Sequence, residues 1–128
     1  MRQELDDLVC QRYPEIFRDR HAAPEVTSMC WGFSCGDGWF GIIDDLCAEI
    51  VSRVNTGQVP KVVATQVKSK MGCLRFGFVG QFDPEFNPLV RQLINSAASK
   101  SEKTCEACGA PNAAWEPDVV CTKCGAKR

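Results

Sequence analysis

The sequence Cys105-Glu106-Ala107-Cys108-Gly109 returns as Cys121-Thr122-Lys123-Cys124-Gly125, and no other feature constrains the chain so strongly. The spacing is C-x2-C-x12-C-x2-C. Two residues between thiolates let one tight turn present both sulfurs to a single ion. The glycine after the second cysteine of each pair permits a left-handed backbone. Two such turns facing each other close a tetrahedral four-sulfur site, which suits zinc, with Cys105, Cys108, Cys121 and Cys124 as ligands. Iron is the chemical alternative, and a thioredoxin-like redox pair would need a βαβ context that the pattern lacks. Four thiolates leave no position for water or substrate, so the spacing predicts a structural site. From Ser101 onward the large apolar groups are few besides Trp115, Val119 and Val120, so metal binding is expected to supply that segment's folding free energy.

Ahead of the ribbon, periodicity predicts an α+β body. Residues 3–12 read as a short amphipathic helix carrying Leu5, Leu8 and Val9, ended by Pro14. A further turn is expected to pin Ile16 and Phe17 to the core. Residues 18–36 read as irregular, punctuated by Pro24, Gly32 and Gly36. Asp37 is expected to N-cap a longer helix whose Trp39, Ile42, Ile43, Leu46, Ile50 and Val54 share one face. Asn55-Thr56-Gly57 closes it. Residues 61–68, rich in β-branched side chains, and the alternating 74–78 predict a hairpin around a loop at 69–72, with Leu74, Phe76 and Phe78 inward. Asn87-Pro88 starts a last helix, and the polar stretch 96–103 reads as a linker. The expected fold is therefore helices packed on a small antiparallel β-hairpin or sheet, residues 1–100, followed by a zinc ribbon, residues 101–128.

Composition narrows the partners. The chain has 128 residues and a net charge of −1. From Ser101 on, four bases meet four acids, leaving eleven bases and twelve acids elsewhere. Phosphate-tracking surfaces are normally basic, so neutrality favours a protein-binding ribbon. Lys61, Lys68, Lys70 and Arg75 do cluster around the hairpin, and a solvated strand face is the ordinary reading of them, with nucleic acid as the alternative. No run of apolar residues is long enough for a membrane span, and the charged start Met1-Arg2-Gln3-Glu4-Leu5-Asp6-Asp7 is unlike a secretory signal. A cytoplasmic protein is expected.

Nine cysteines cannot all pair within one chain, and Cys10, Cys30, Cys35, Cys47 and Cys73 are expected as thiols without redox duty. Cys30 and Cys35 with His21, the sole histidine, make the one imaginable nucleophile–base or second metal set, with Asp19 or Asp37 as orienting carboxylates. The spacing is unspecific, so a cysteine-dependent hydrolase stands behind the binding readings. Asp44-Asp45 diverge on a helix, and Gly36-Asp37-Gly38 lacks the Lys-Ser/Thr of a phosphate-binding loop. Trp31, Phe33 and Phe40 either seal the core or offer an aromatic anchor to a partner.

Tyr13-Pro14-Glu15-Ile16-Phe17, then Trp31-Gly32-Phe33-Ser34-Cys35-Gly36-Asp37-Gly38-Trp39, then Gln66-Val67-Lys68 with Leu74-Arg75-Phe76, then the paired C-x-x-C-G stand in one order. In that order they resemble a family of small bacteriophage and prophage proteins that end in a zinc ribbon. The chain departs from the family at Lys70-Met71-Gly72-Cys73, where a Lys-Phe-Gly-Gly-like stretch is more usual. The resemblance implies a setting, the bacterial host cytoplasm. With no catalytic constellation in the sequence, the expectation is a non-enzymatic protein that, as small phage proteins commonly do, engages a host protein or complex, including an antiviral defence system.

Overall fold

The computed structural model describes residues 1–25, 27–111 and 124, together with the backbone of 114–115 and 119–120. Helix α1 spans Gln3–Arg12, α2 Phe40–Asn55 and α3 Pro88–Ser101. Strand β1 is Phe33–Ser34, β2 Ala64–Lys70 and β3 Cys73–Phe78, and they form one sheet in the order β1-β2-β3. A second, two-stranded sheet pairs β4, Ala114–Trp115, with β5, Val119–Val120, between the two cysteine pairs.

The α+β class is as expected, but the main sheet is mixed rather than antiparallel. Phe33 and Ser34 run parallel to Val67 and Lys68. Two residues are too few to show alternation, and Gly32, at φ +78°, breaks the chain just before them. The hairpin is tighter than expected. Strand β2 continues to Lys70, and Met71 and Gly72 alone make the turn, with φ of +54° and +77°. Positive φ at both positions is what a two-residue type I′ turn requires.

The interior is built where the periodicities meet. Val67, Leu74, Phe76 and Phe78 from the sheet join Trp39, Ile43, Leu46, Cys47 and Ile50 from the second helical segment in one buried cluster. Phe17 and Phe33 stack edge-to-face at 5.0 Å between centroids, and Phe17 meets Phe76 at 6.4 Å. Helix α3 packs beside α2 and along β3, burying Val90 and Ala97. Asn87 caps it by accepting the N–H of Leu89 at 2.9 Å.

Asp37 is not the cap of α2. A 3-10 turn at Asp37–Trp39 precedes α2, and the Asp37 carboxylate instead accepts the backbone N–H of Arg2 at 2.7 Å. Nor does the chain loosen after residue 95. Helix α3 runs to Ser101, whose buried hydroxyl accepts the N–H of Leu74 at 2.8 Å and donates to the Ala98 carbonyl. This satisfies an edge donor of β3 that would otherwise be buried unpaired.

Candidate metal centre and the open sheet face

The cysteine turn begins four residues after the end of α3. The N–H of Cys105 donates to Ala110 O and the N–H of Gly109 to Cys105 O, both at 2.8 Å. Gly109 has φ +83°, the left-handed conformation expected after Cys-x-x-Cys. The ligating atoms of Cys105, Cys108 and Cys124 lie within 4.8 Å of one another, so the three thiols can hold a metal ion. Cys105 is buried, Cys108 exposed and Cys124 between the two. Cys121, the fourth residue of the motif, lies outside the described residues. The donor set fits a soft-ligand ion. A tetrahedral zinc–thiolate site with bonds of about 2.3 Å places its sulfurs about 3.8 Å apart, which this spread accommodates with small shifts.

The turn is seated in a cradle that the sequence does not advertise. Gly38 donates its N–H to Glu106 O at 2.7 Å, and Gly36 donates to Glu106 Oε1 at 3.0 Å. The other carboxylate oxygen of Glu106 accepts from the Ser69 hydroxyl at 3.3 Å. The buried indole of Trp39 donates to Thr104 O at 2.9 Å. A β-carbon at residue 36 would overlap the Glu106 carbonyl oxygen, and one at residue 38 would overlap that of Cys105. Gly36-Asp37-Gly38, which fails as a phosphate loop, is therefore the seat of the Cys105–Ala110 turn.

Burial acts on three of the other cysteines. Burial pushes the Cys10 and Cys35 thiols up to about 12, and pushes Cys47 further in the same direction. Cys30 donates to Thr27 O at 3.4 Å and Cys73 to Leu74 O at 3.5 Å. His21 is exposed, and among the described residues it joins no group of metal-binding side chains. Asp44 accepts from the Tyr13 hydroxyl at 2.8 Å and pairs with Arg12 at 3.0 Å, while Asp45 is exposed.

The aromatic candidates separate. Phe33 is buried against Phe17, so it is not available as an anchor: its strand pairing with β2 turns the ring inward. Phe40 is half-buried under the Arg12 guanidinium, 5.9 Å away. Trp31 is 73% exposed.

Lys68, Lys70 and Arg75 do share one face, the outer side of the β2–β3 hairpin, opposite Val67, Leu74 and Phe76. That face and α3 form the walls of an open groove. Arg91 and Asn95 of α3 line it, with Phe82 from the loop ahead of α3. Sequence reasoning missed Arg91 and Phe82, which are distant from the hairpin along the chain.

It also missed Asp6. Read as an acid that favours the start of a helix, Asp6 is buried, and Arg20 meets it with two charge-assisted hydrogen bonds of 2.9 Å. Arg20 also donates to Met29 O and Cys30 O, tying the 3-10 turn at Ser28–Trp31 to α1. Hydrogen bonding to Asp6 raises the Arg20 pKa further above its ordinary range.

Among the described residues no helix is long and apolar enough to cross a membrane. Comparison with family models, curated proteins and solved structures finds no match to this chain.

Proposed function

We propose that this chain is a non-enzymatic binding protein whose C-terminal segment is a structural zinc ribbon. The observation that carries the reading is the convergence of Cys105, Cys108 and Cys124 on a turn already fixed to the body through Gly36 and Gly38. Cys121 is the fourth ligand in this reading, by its spacing from Cys124. With four thiolates the ion has no open position, so it stabilises the segment and performs no chemistry on a substrate. The raised thiols of Cys10, Cys35 and Cys47 also support a non-enzymatic role, since a nucleophilic cysteine needs a depressed pKa.

The resemblance to phage and prophage proteins gives the setting: the cytoplasm of a bacterial host, and a host protein or complex, such as a defence system, as partner. Trp31 offers that partner an exposed aromatic anchor. A second reading, nucleic-acid binding, is favoured by one specific observation: Lys68, Lys70, Arg75 and Arg91 line one groove.

Elemental analysis of protein purified without chelators tests the metal assignment, and about one zinc per chain is expected. Absence of zinc, or iron in its place, overturns it. Capture from host lysate with and without nuclease separates the partner classes. Nuclease-resistant capture that Trp31→Ala abolishes supports the protein partner, and nuclease-sensitive recovery of nucleic acid supports the second reading.

A further inference from the structure

We propose that the groove between the outer face of the β2–β3 hairpin and α3 binds single-stranded nucleic acid, with Lys68, Lys70, Arg75 and Arg91 on the phosphates and Phe82 stacked on a base. The inference rests on the nucleic-acid reading above and assigns it a site and a strand type.

Charge is the first observation. Four cations line the groove and no aspartate or glutamate does. Among the described residues the other arginines are matched: Arg2 pairs with Asp37, Arg12 with Asp44, Arg18 with Asp19, Arg20 with Asp6 and Arg53 with Glu49. No ion pair among the described residues includes Lys68, Lys70, Arg75 or Arg91. The groove is thus locally basic in a molecule whose net charge is −1.

The register sharpens this. Lys68 and Arg75 are directly opposite in the antiparallel pair, on the outer face. Like charges facing each other across a ladder destabilise a hairpin. A polyanion lying across both would turn that repulsion into attraction.

Phe82 is the second, independent observation. Phe82 is 91% exposed and lines the groove. The loop that carries it is ordered by backbone hydrogen bonds, Gln81 to Phe78 O at 3.1 Å and Asp83 to Gly80 O at 2.9 Å. Phe86 anchors the same loop against Phe78, with centroids 4.9 Å apart. The ring is therefore held out in solvent by a fixed scaffold. Arg91 is fixed beside it, its Nη2 donating to Asp83 O and its guanidinium lying 5.9 Å from the Phe78 ring.

Cations and an exposed aromatic ring lining one groove are what a single strand needs. Its bases are unstacked and can lie on a ring, whereas duplex bases are already stacked on one another. The amides of Gln66 and Asn95 also line the groove and carry both donors and acceptors for base edges.

The test is fluorescence anisotropy of the zinc-loaded full chain with labelled oligo-dT, oligo-U, a mixed-sequence single strand and the matching duplex, each titrated with salt. Single strands are expected to bind more tightly than duplex, with a slope of log Kobs on log salt of about −3 for four phosphate contacts. Lys68→Ala with Arg75→Ala should reduce that slope in magnitude by about 1.4. Phe82→Ala should weaken binding about tenfold or more and leave the slope unchanged. These side chains are exposed or half-buried, and zinc content of each variant reports on the ribbon separately. Zinc-loaded protein that binds no oligonucleotide at low salt, prefers duplex, binds polyglutamate equally well, or is indifferent to Phe82→Ala overturns the proposal and leaves the metal assignment standing.

Discussion

Gly38 and Glu106, far apart in sequence, meet through a hydrogen bond of 2.7 Å from the glycine N–H to the glutamate carbonyl. The backbones approach so closely that no side chain fits at residue 38. The cysteine turn is consequently docked onto the 3-10 turn ahead of α2, with Cys105 part of the buried cluster. Metal binding and packing of the body should therefore be coupled.

Gly38→Ala tests the coupling. Its added methyl would overlap Cys105 O and lie 2.5 Å from Gly109 N, and both are backbone atoms of the turn. The variant is expected to lose about 2–3 kcal/mol in urea unfolding, as for overpacking at a tight site. It should also release its metal to a chelator faster than the wild type. Gly41→Ala, in α2 where nothing approaches, is the control: it should leave metal release unchanged and raise stability by up to about 1 kcal/mol through helix propensity. Unaltered chelator kinetics in Gly38→Ala would show that the turn and the body are independent.

The buried pair of Asp6 and Arg20 makes a second expectation. Both side chains are mostly buried, and Gly32, at φ +78°, leaves room for them: a β-carbon there would stand 2.9 Å from Arg20 Nη2 and 3.0 Å from Asp6 Oδ2. Arg20→Ala should cost about 3–5 kcal/mol, because it leaves the Asp6 carboxylate buried without a partner. Arg20→Lys should recover part of this, since one ammonium cannot serve the carboxylate, Met29 O and Cys30 O together. Equilibrium unfolding of Arg20→Ala, Arg20→Lys, Asp6→Asn and the double variant Asp6→Asn with Arg20→Ala measures the pair. Additive losses would show that the two residues act separately.

The contrast between these features shows what a sequence can carry. Helices α1, α2 and α3 were legible because apolar residues recur at helical spacing, and Asn87-Pro88 marks a start by local chemistry alone. The cysteine turn was legible for the same local reason. Strand β1 was not, because two residues show no period and its partner lies across α2. Asp37 looked like a cap, yet Arg2 claims its carboxylate. The Gly36–Gly38 seat and the Arg91–Phe82 side of the groove are long-range relationships that neither composition nor spacing encodes. An exposed Phe82 beside a proline–acid loop carried no signal until the hairpin cations were placed across from it.

The hairpin turn offers a gain in stability. Met71 is exposed and sits at φ +54°, the one non-glycine residue with positive φ among those described. A β-carbon in that region is strained, and Met71→Gly removes the strain while Met71→Asn tolerates it better. Either is expected to raise stability by roughly 0.5–1 kcal/mol and to speed hairpin closure if it forms early. Thermal unfolding of the metal-loaded protein measures it. A loss in both variants would mean that the Met71 side chain contributes a contact that outweighs the strain.

The thiols outside the two Cys-x-x-Cys pairs set the last expectation, which concerns alkali. Burial raises Cys10 and Cys35 from 9.0 to about 12, and Cys47 rises further. A thiol near 12 carries roughly a thousandfold less thiolate at neutral pH than one near 9.0, so iodoacetamide should label these three slowly in the folded, metal-loaded chain. Between 9.0 and about 12 the unfolded chain has lost protons that the folded chain still holds. Stability contributed by these groups is therefore complete below 9.0 and falls as pH rises through that window. Urea midpoints measured from pH 8 to 11 should decline. Cys35→Ala and Cys47→Ala, compared with the parent, should flatten the decline even where they lower the starting value. Rapid, selective labelling of Cys35 at pH 7 would mean that a cation has drawn its thiolate out, and would return the chain to the class of cysteine enzymes.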